Sequence, residues 1–351
     1  MSKKVLVALS GGLDSSIAAL LLKQQGYSVT GIHFGLFARK NQQNNSYLAA
    51  TKAAKILNIP LINKNIEQYF SDTVIDYFAR QYSNGRTPCP CSFCNANVKW
   101  KVLHDEQKLH GFDFIATGHY AQTTKHNGVS RFMKATSDLK DQSYFLWSVP
   151  SEYINSILLP LGTYRKSEVR EIAQSNGFGY LSEKPESMSI CFLEGTDYRE
   201  FLVKNHLANP NTYGNIVDED GSVIGQHKGL FNYTIGQKQG LKLLDKSLCI
   251  TKIDPDKNEI VVGKWDNLNH KQLKLTNCKF PSLPLGTHQN LTVLIRGFGK
   301  NPEGLSTLEL KDNGTGYVKF SEPVWAATPG QPVVVYAGST LLGGGYLNES
   351  F

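Results

Sequence analysis

Residues 8–16, with the sequence ALSGGLDSS, place two glycines, an aspartate and three serines between an apolar run and a stretch with helical spacing. A glycine-rich turn at such a junction presents several backbone N–H groups to an anion, and the dipole of the following helix attracts negative charge. The Walker phosphate loop requires a Lys and a Ser/Thr after its second glycine, and neither is present. The stretch therefore predicts a phosphate-binding loop of another class, which works without a lysine of its own.

A second concentration of reactive residue types is the segment RTPCPCSFCN, which contains Cys89, Cys91 and Cys94. Cys91 and Cys94 have CxxC spacing, the two prolines favour an extended loop, and Asn95 can begin the helix that follows. A helix N-terminus lowers the pKa of a nearby thiol and so favours the thiolate. Three cysteines in one loop indicate metal or thiol chemistry rather than core packing. The remaining cysteines, taken alone, are typical of structural positions: Cys191, Cys249 and Cys278.

The elements that must position these residues alternate between strand and helix through the first half of the chain. KKVLVAL, SVTGIHF, PLINKNI and FDFIATG are short apolar strands, and the stretches between the first three have the apolar spacing of helices. The alternation predicts an α/β fold with a parallel sheet covered by helices on both faces. Such sheets bind ligands at the carboxyl ends of their strands, where ALSGGLDSS lies.

The pattern changes after about residue 205, where short alternating strands and Gly-, Pro- and Asn-rich turns dominate. We therefore predict three domains. They are an α/β catalytic domain over residues 1–205, a small, mainly β linker domain over 206–272 and a C-terminal β-barrel over 273–351.

Composition indicates which class of partner the protein binds and in which cellular compartment it is expected. The net charge of +7 favours an anionic partner, and the surplus of Lys and Arg over Asp and Glu lies mainly in residues 1–205. Six cysteines in 351 residues are too few for a disulfide scaffold. No apolar run approaches the roughly 18–20 residues of a membrane span, and the N-terminus lacks the features of a secretory signal. A cytoplasmic protein without a membrane partner is expected.

SGGLDSS resembles the pyrophosphate loop of the PP-loop ATP pyrophosphatases. Six further stretches occur in the order typical of the tRNA-specific 2-thiouridylases, of the MnmA/TrmU type: GRTPCPCSFCN, ATGHYA, KDQSYFLW, SICFLEG, GQHKGLFNYTIGQKQGL and ATPGQPVVVY with LLGGG after it. The resemblance runs from residue 8 to residue 345. It implies a tRNA 2-thiouridylase that uses ATP and Mg²⁺ to adenylate the C2 oxygen of the wobble uridine in tRNA. Sulfur then replaces that oxygen, which gives 2-thiouridine, AMP and pyrophosphate.

The same resemblance implies roles for individual residues. Cys191 would bear a persulfide delivered by a sulfur-relay donor protein, and Cys94 would be the nucleophile that releases the sulfur, ending in a Cys94–Cys191 disulfide. Asp14 would help to place Mg²⁺, and the substrates would be the tRNAs for Lys, Glu and Gln. The residues implied to frame ATP are Ala8, Leu9, Ser10, Gly11, Gly12, Leu13, Asp14, Ser15, Phe34 and Gly118. Those implied to contact tRNA are His119, Lys140, Asp141, Gln142, Arg296 and Gln331.

The chain departs from the family pattern at the residues implied to contact the target base, Cys89, Pro90 and Cys91. Many members read Asn-Pro-Asp there, so an acid–base role at this site is open. The substitution permits an alternative, in which Cys91, Cys94 and Cys191 hold an iron–sulfur cluster with one iron open to hydrosulfide. A structural zinc with Cys89 as fourth ligand is a further alternative.

Two other function classes compete with tRNA thiolation. One is a PP-loop ligase or amidotransferase acting on a small metabolite, which would need neither the cysteines nor the C-terminal barrel for RNA binding. The other is a non-catalytic RNA-binding sulfur carrier with a degenerate nucleotide site, against which the intact SGGLDSS argues.

Overall fold

The computed structural model describes residues 2–36, 43–126, 128–183, 190–193, 195–241, 245–297 and 299–351. The chain divides into two compact units, each assembled from separate segments. The first unit contains Met1–Thr73, Ser92–Met188 and Ser339–Leu341. The second contains Val74–Cys91, Ser189–Gly338 and Leu342–Phe351.

The first half of the chain alternates between strands and helices. In order, the elements are β1 (Lys4–Ala8), α1 (Leu13–Gln24), β2 (Ser28–Gly35), α2 (Gln43–Leu57), β3 (Leu61–Asn65), α3 (Glu67–Phe70), α4 (Asp76–Ser83), α5 (Pro90–Cys94), α6 (Trp100–His110), β4 (Phe114–Ala116), β5 (Gln122–His126), β6 (Val129–Met133), α7 (Ser151–Ile154), β7 (Ile157–Leu158), α8 (Lys166–Ser175) and α9 (Gly179–Ser182). Single π-helical turns, Ser71–Ile75 and Asn95–Lys99, precede α4 and α6, and short 3₁₀ turns cover Asp138–Lys140 and Ser143–Leu146.

The second half is mainly β-structure after one helix. Its elements are α10 (Tyr198–Lys204), β8 (Tyr213–Val217), β9 (Val223–Lys228), β10 (Cys249–Asp254), β11 (Glu259–Gly263), β12 (Asn269–Lys279), β13 (Gly286–Leu294), β14 (Ser306–Leu310), β15 (Gly316–Trp325), β16 (Pro332–Ala337) and β17 (Thr340–Ser350). Two 3₁₀ turns, Leu230–Asn232 and Trp265–Leu268, flank β10 and β11.

The first unit is built on a five-stranded parallel sheet in the order β3-β2-β1-β4-β7. β1 lies in the middle and is buried on both faces, as its apolar run predicts. Its side chains alternate between faces: Val5 and Val7 join a core with residues of α1, α2 and α8, whereas Leu6 points the other way. α6, on the remaining face, ends at His110, and the following Gly111 has a φ of +65°, the left-handed conformation that commonly caps a helix C-terminus.

The second unit holds two separate β-structures. A four-stranded sheet has the order β10-β11-β8-β9, with a small core that includes Ile216, Ile250 and Ile260. The C-terminal strands follow the order β12-β15-β14-β13-β16-β17, and pairing of β12 with β17 closes them into a barrel. Barrel closure leaves none of these six strands at an open edge.

The predicted fold class is confirmed: a parallel sheet with helices, a small β-structure and a barrel follow one another along the chain. In the described part of the chain, no helix has the length and apolarity needed to cross a membrane.

Candidate active site

The glycine–serine loop lies where β1 ends and α1 begins, at the carboxyl edge of the central strand. Its hydroxyls organise the turn: Ser10 Oγ lies 3.0 Å from Ser15 Oγ and accepts a hydrogen bond from Gly12 N at 3.3 Å. Ser16 is fully buried and donates its hydroxyl to Gly12 O at 2.8 Å, so it holds the loop together. At the end of the neighbouring strand β2, Phe34 is half-buried.

Glycine is required twice around this loop. Gly11 has φ +77°, and a Cβ there would lie 2.4 Å from the backbone of Ala49 and Ala50 in α2. Gly118, which follows β4, lies against the loop from the other side, and a Cβ there would come within 2.7 Å of Asp14 C. The loop is therefore held between two backbone segments.

Asp14, in the first turn of α1, is the centre of a charged cluster. Its Oδ1 accepts hydrogen bonds from Lys166 Nζ at 2.6 Å and from the Tyr120 hydroxyl at 2.8 Å. The Lys166 side chain is only 11% exposed, and its ammonium also lies 5.7 Å from the centre of the Tyr120 ring. The cluster thus places a largely buried positive charge beside a loop that is suited to phosphate.

The loop has no lysine of its own, but the fold places Lys166, from 152 residues further along the chain, beside it. Lys166 is the first residue of α8, where a positive charge is disfavoured by the helix dipole. The ion pair with Asp14 offsets this unfavourable interaction with the helix dipole. Sequence alone could not show which loop Lys166 meets.

The loop expected to contact tRNA, residues 140–142, is tied to the same cluster through Tyr120. Gln142 Oε1 accepts a hydrogen bond from Tyr120 N at 3.0 Å, and Gln142 N donates to Tyr120 O at 2.8 Å. Asp141 accepts from Ala135 N at 2.9 Å and from the Ser143 hydroxyl at 2.8 Å. Gln142 and Asp141 therefore organise this loop, and a hydrogen-bonded path runs from it to Asp14.

His119 lies between Gly118, which packs against the glycine–serine loop, and Tyr120, which hydrogen-bonds to Asp14 and Gln142. Its Nδ1 is 2.7 Å from Thr117 Oγ1, and its ring stacks on Trp100 with centroids 6.1 Å apart. Desolvation, followed by the charge of Lys99, holds the pKa of His119 well below its ordinary value. The imidazole is therefore neutral at pH 7 and can donate or accept a hydrogen bond without carrying charge.

The cysteine segment differs from its prediction in one respect. Asn95 was expected to begin the helix, but α5 already begins at Pro90, because proline is well suited to the first position of a helix. Cys91 and Cys94 are therefore one helical turn apart, and Cys94 is half-buried. Asn95 Nδ2 donates to Phe145 O at 3.0 Å, which ties the residue after Cys94 to the turn that follows residues 140–142.

Cys191 lies in the second unit and presents an exposed thiol. The next residue, Phe192, is buried and packs edge-to-face on Phe78 of α4 with centroids 5.0 Å apart, which anchors the segment. All six cysteines lie in the described part of the chain, and none forms a disulfide. Across the described residues, no three His, Cys, Asp or Glu side chains lie close enough to hold a metal ion.

Arg296 and Gln331, predicted to contact tRNA, both bind carbonyl groups of the second unit. Arg296 donates to Trp325 O and Ala326 O, each at 2.9 Å. Gln331 Nε2 donates to Thr87 O at 2.7 Å, and Thr87 N in turn donates to Pro329 O. Gln331 therefore holds the segment that leads into Cys89.

Comparison with known proteins identifies the family. Three family models match consecutive parts of the chain: a tRNA methyl transferase HUP domain over residues 3–195, a tRNA methyl transferase PRC-barrel domain over 199–264 and an aminomethyltransferase β-barrel domain over 267–347. The tRNA-specific 2-thiouridylase MnmA 1 of Clostridium botulinum (strain Okra / Type B1) is 36% identical over 99% of both chains. That of Amoebophilus asiaticus is 38% identical over 99% of this chain and 96% of its own. The chain belongs to the tRNA-specific 2-thiouridylase family.

Membership of the 2-thiouridylase family confirms the resemblance drawn from the sequence. A further member, from Clostridioides difficile, is 36% identical over 100% of this chain and 99% of its own, so the match extends over the whole chain.

Gly118 offers a direct test of the close packing around the loop. Gly118→Ala would place a methyl group 2.7 Å from Asp14 C and 2.8 Å from Ser15 N, so the loop must shift. We expect a loss of about 1–3 kcal/mol in the free energy of unfolding, because overpacking of this kind costs that much, together with weaker ATP binding. Urea unfolding and ATP titration measure both. Gly179→Ala is the matched control, since nothing lies within 4 Å of its Cβ position, and equal effects of the two substitutions would contradict the packing argument.

His119 makes the stability of the protein depend on pH. Because its pKa is lowered in the folded state, the unfolded chain takes up a proton first as the pH falls, and the stabilisation present above about pH 6.5 is then lost. We expect the free energy of unfolding of the wild type to fall more between pH 7 and pH 5 than that of His119→Gln. Lys99→Met should reduce the fall, since the Lys99 charge is the second cause of the shift. Parallel curves for wild type and His119→Gln would contradict the assignment.

Proposed function

We propose that the protein is a tRNA-uridine 2-sulfurtransferase that adenylates the C2 oxygen of the wobble uridine and replaces it with sulfur. The observation that carries the proposal is the path within the first unit from the glycine–serine loop through Asp14 and Tyr120 to Gln142. This path joins a site suited to nucleotide phosphates to the loop implied to contact tRNA. Family membership supplies the reaction class.

The ATP site would be formed by residues 8–15 with Phe34 and Gly118. The loop amides and the Lys166 ammonium would stabilise the β- and γ-phosphates, which leave together as pyrophosphate. Mg²⁺ is commonly held by one or two carboxylates together with substrate phosphates. Asp14 supplies one carboxylate at the loop, so it fits an ion that arrives with ATP, and Lys166 would then turn from Asp14 to the phosphates.

The chemical need for adenylation follows from the substrate. The C2 carbonyl of uracil is a poor electrophile, and its oxygen is a poor leaving group. Attack of that oxygen on the α-phosphorus breaks the α–β phosphoanhydride bond and releases pyrophosphate. The oxygen then leaves with AMP when sulfur attacks C2. The target base must first leave its stack in the anticodon loop, at a cost of a few kcal/mol.

The sulfur would come from a persulfide on Cys191, whose exposed thiol suits loading by a sulfur-relay donor protein. The terminal persulfide sulfur would attack C2, and Cys94 would attack Cys191 Sγ. This breaks the persulfide S–S bond, leaves the outer sulfur on the uridine and forms a Cys94–Cys191 disulfide. That bond requires Cα atoms about 5–6 Å apart, and an external thiol reductant would restore both cysteines.

The product analysis that tests this function uses wild-type protein, unmodified tRNAs for Lys, Glu and Gln, ATP, Mg²⁺ and a persulfide donor. Mass spectrometry of the digested tRNA should detect 2-thiouridine only when ATP and the donor are both present. Thiolation that proceeds without ATP, or an unchanged nucleoside profile with a loaded donor, would contradict the proposal.

A further inference from the structure

An exposed aromatic pair lies on the second unit, outside the site described above. Trp265 begins the 3₁₀ turn after β11, and Trp325 ends β15. Their ring centroids are 4.4 Å apart with an interplanar angle of 32°. Trp325 packs against Ala326 and Leu268 in a small core, whereas Trp265 is 40% exposed. Trp325 therefore anchors the pair to this core, and Trp265 presents the exposed ring.

Two cations flank the pair. Lys238 Nζ lies 4.4 Å from the centre of the Trp265 ring, and the Arg296 guanidinium lies 5.7 Å from the centre of the Trp325 ring. Arg296 is fixed by its hydrogen bonds to Trp325 O and Ala326 O, whereas Lys238 is exposed on a flexible side chain. A flat ligand with negative charge beside it is the chemistry that such a surface complements.

The aromatic pair is linked to the cysteine segment within the same unit. Thr234, four residues before Lys238, hydrogen-bonds through its hydroxyl to Thr87. Thr234 N also donates to Gln237 Oε1 at 3.1 Å, which fixes the turn that carries Lys238. Thr87 is the residue that Gln331 holds, two positions before Cys89. A ligand on Trp265 would therefore bind next to the turn that supports the cysteine segment.

We propose that Trp265, supported by Trp325 and flanked by Lys238 and Arg296, is a stacking platform for an unpaired base of the bound RNA. The inference rests on the proposed function for its ligand, tRNA. A base would replace the Lys238 ammonium over the indole, and the displaced ammonium would bind an adjacent phosphate. Single-stranded nucleic acids are recognised by this combination of aromatic rings and cations, which tolerates any base because every base has a π face.

The test is tRNA binding measured without ATP or persulfide, with Trp265→Leu and Trp265→Phe as the variants. Loss of one base–aromatic stack weakens binding about 5- to 150-fold. We expect Trp265→Leu to show a loss in this range and Trp265→Phe, which keeps a ring, a smaller one. Lys238→Ala should lower the slope of log affinity against log salt by about one. Tyr213→Leu, which removes another exposed aromatic residue of the second unit, is the matched control and should bind like the wild type.

Fluorescence provides a readout that a purely structural role would not change. Of the four tryptophans, Trp100 and Trp147 are buried. Saturating tRNA should quench the wild-type emission, and this quenching should be largely lost in Trp265→Phe. An anticodon stem–loop, whose loop bases are unpaired, should compete with tRNA and reverse the quenching. An RNA duplex of equal length should not.

The alternative outcomes separate this inference from the proposed function. If Trp265→Leu binds tRNA like the wild type while the wild type makes 2-thiouridine, the platform is wrong and the function stands. If Trp265→Leu keeps tRNA affinity but accepts sulfur from its donor more slowly, the surface binds a protein and the inference is overturned. If Trp265 is needed for tRNA binding but no 2-thiouridine forms, the platform stands and the proposed function falls.

Discussion

Replacing Lys166 with methionine is expected to slow tRNA-dependent pyrophosphate release by about 10²- to 10³-fold, the usual effect of removing one preorganised charge-stabilising group. The Lys166 ammonium is largely buried beside the glycine–serine loop and lies 2.6 Å from Asp14. Methionine keeps most of the side-chain volume and removes the charge. Single-turnover release of pyrophosphate from labelled ATP measures the effect, and tRNA affinity should stay within a few-fold of wild type.

Lys52→Met is the matched control for this substitution. Lys52 lies on α2 in the same unit, and its ammonium lies 3.5 Å from the centre of the Tyr180 ring. Its removal costs a cation–π contact of about 0.5–1 kcal/mol but no phosphate contact, so pyrophosphate release should be unchanged. Lys166→Arg, which keeps the charge, should recover part of the rate. A folded Lys166→Met protein with a wild-type rate would show that Lys166 only pairs with Asp14.

The second large effect is expected from Cys94→Ala, which should lower formation of 2-thiouridine by about 10³-fold or more, as loss of a catalytic nucleophile does. Pyrophosphate release in the same variant should stay close to wild type, because adenylation precedes the sulfur step and uses no thiol. Nucleoside mass spectrometry and pyrophosphate release, measured on the same reaction, separate the two steps.

Cys278→Ala is the control for the loss of a thiol. Burial in the barrel raises the pKa of Cys278 to about 11, so its thiol is protonated and unreactive at neutral pH. Thiolation should therefore continue in this variant. A Cys94→Ala protein that still makes 2-thiouridine would exclude Cys94 as the nucleophile, whatever the result for pyrophosphate release.

The parallel sheet of the first unit could be predicted because its strands carry a strong local signal. After Lys4, β1 reads VLVA, which is apolar throughout, and the strand lies in the middle of the sheet, where both faces are buried. α1 follows the glycine–serine loop, as the apolar spacing of that stretch predicted. Short-range patterns of this kind decide the type of element, and they also located the loop that the proposed mechanism uses.

The charged cluster could not be predicted, because its members are distant in sequence. Tyr120 and Lys166 are 106 and 152 residues from Asp14, and no local pattern relates them. The start of α5 at Pro90 was missed for a different reason: proline restricts the residue before it and also favours the first position of a helix. The expected extended loop follows from only the first of these effects. The pairing of β12 with β17, which closes the barrel, is likewise a long-range contact.

Two polar residues that the family resemblance implies as tRNA contacts form hydrogen bonds within the protein. Gln331 binds Thr87 O, and Gln142 binds the backbone of Tyr120. Both are used within their own unit, so substitutions at these positions will change loop geometry as well as any contact with RNA. Tests of tRNA binding are therefore better placed on exposed groups such as Lys238.

Identification of the nucleotide products tests the central claim most directly. Wild-type protein is incubated with α- and γ-labelled ATP, Mg²⁺, unmodified tRNA and a persulfide donor, and the products are separated by chromatography. Cleavage between the α- and β-phosphorus atoms predicts AMP and pyrophosphate in equal amounts, formed only when tRNA is present. ADP and orthophosphate as the products would contradict adenylation and, with it, the role assigned to the loop, Asp14 and Lys166.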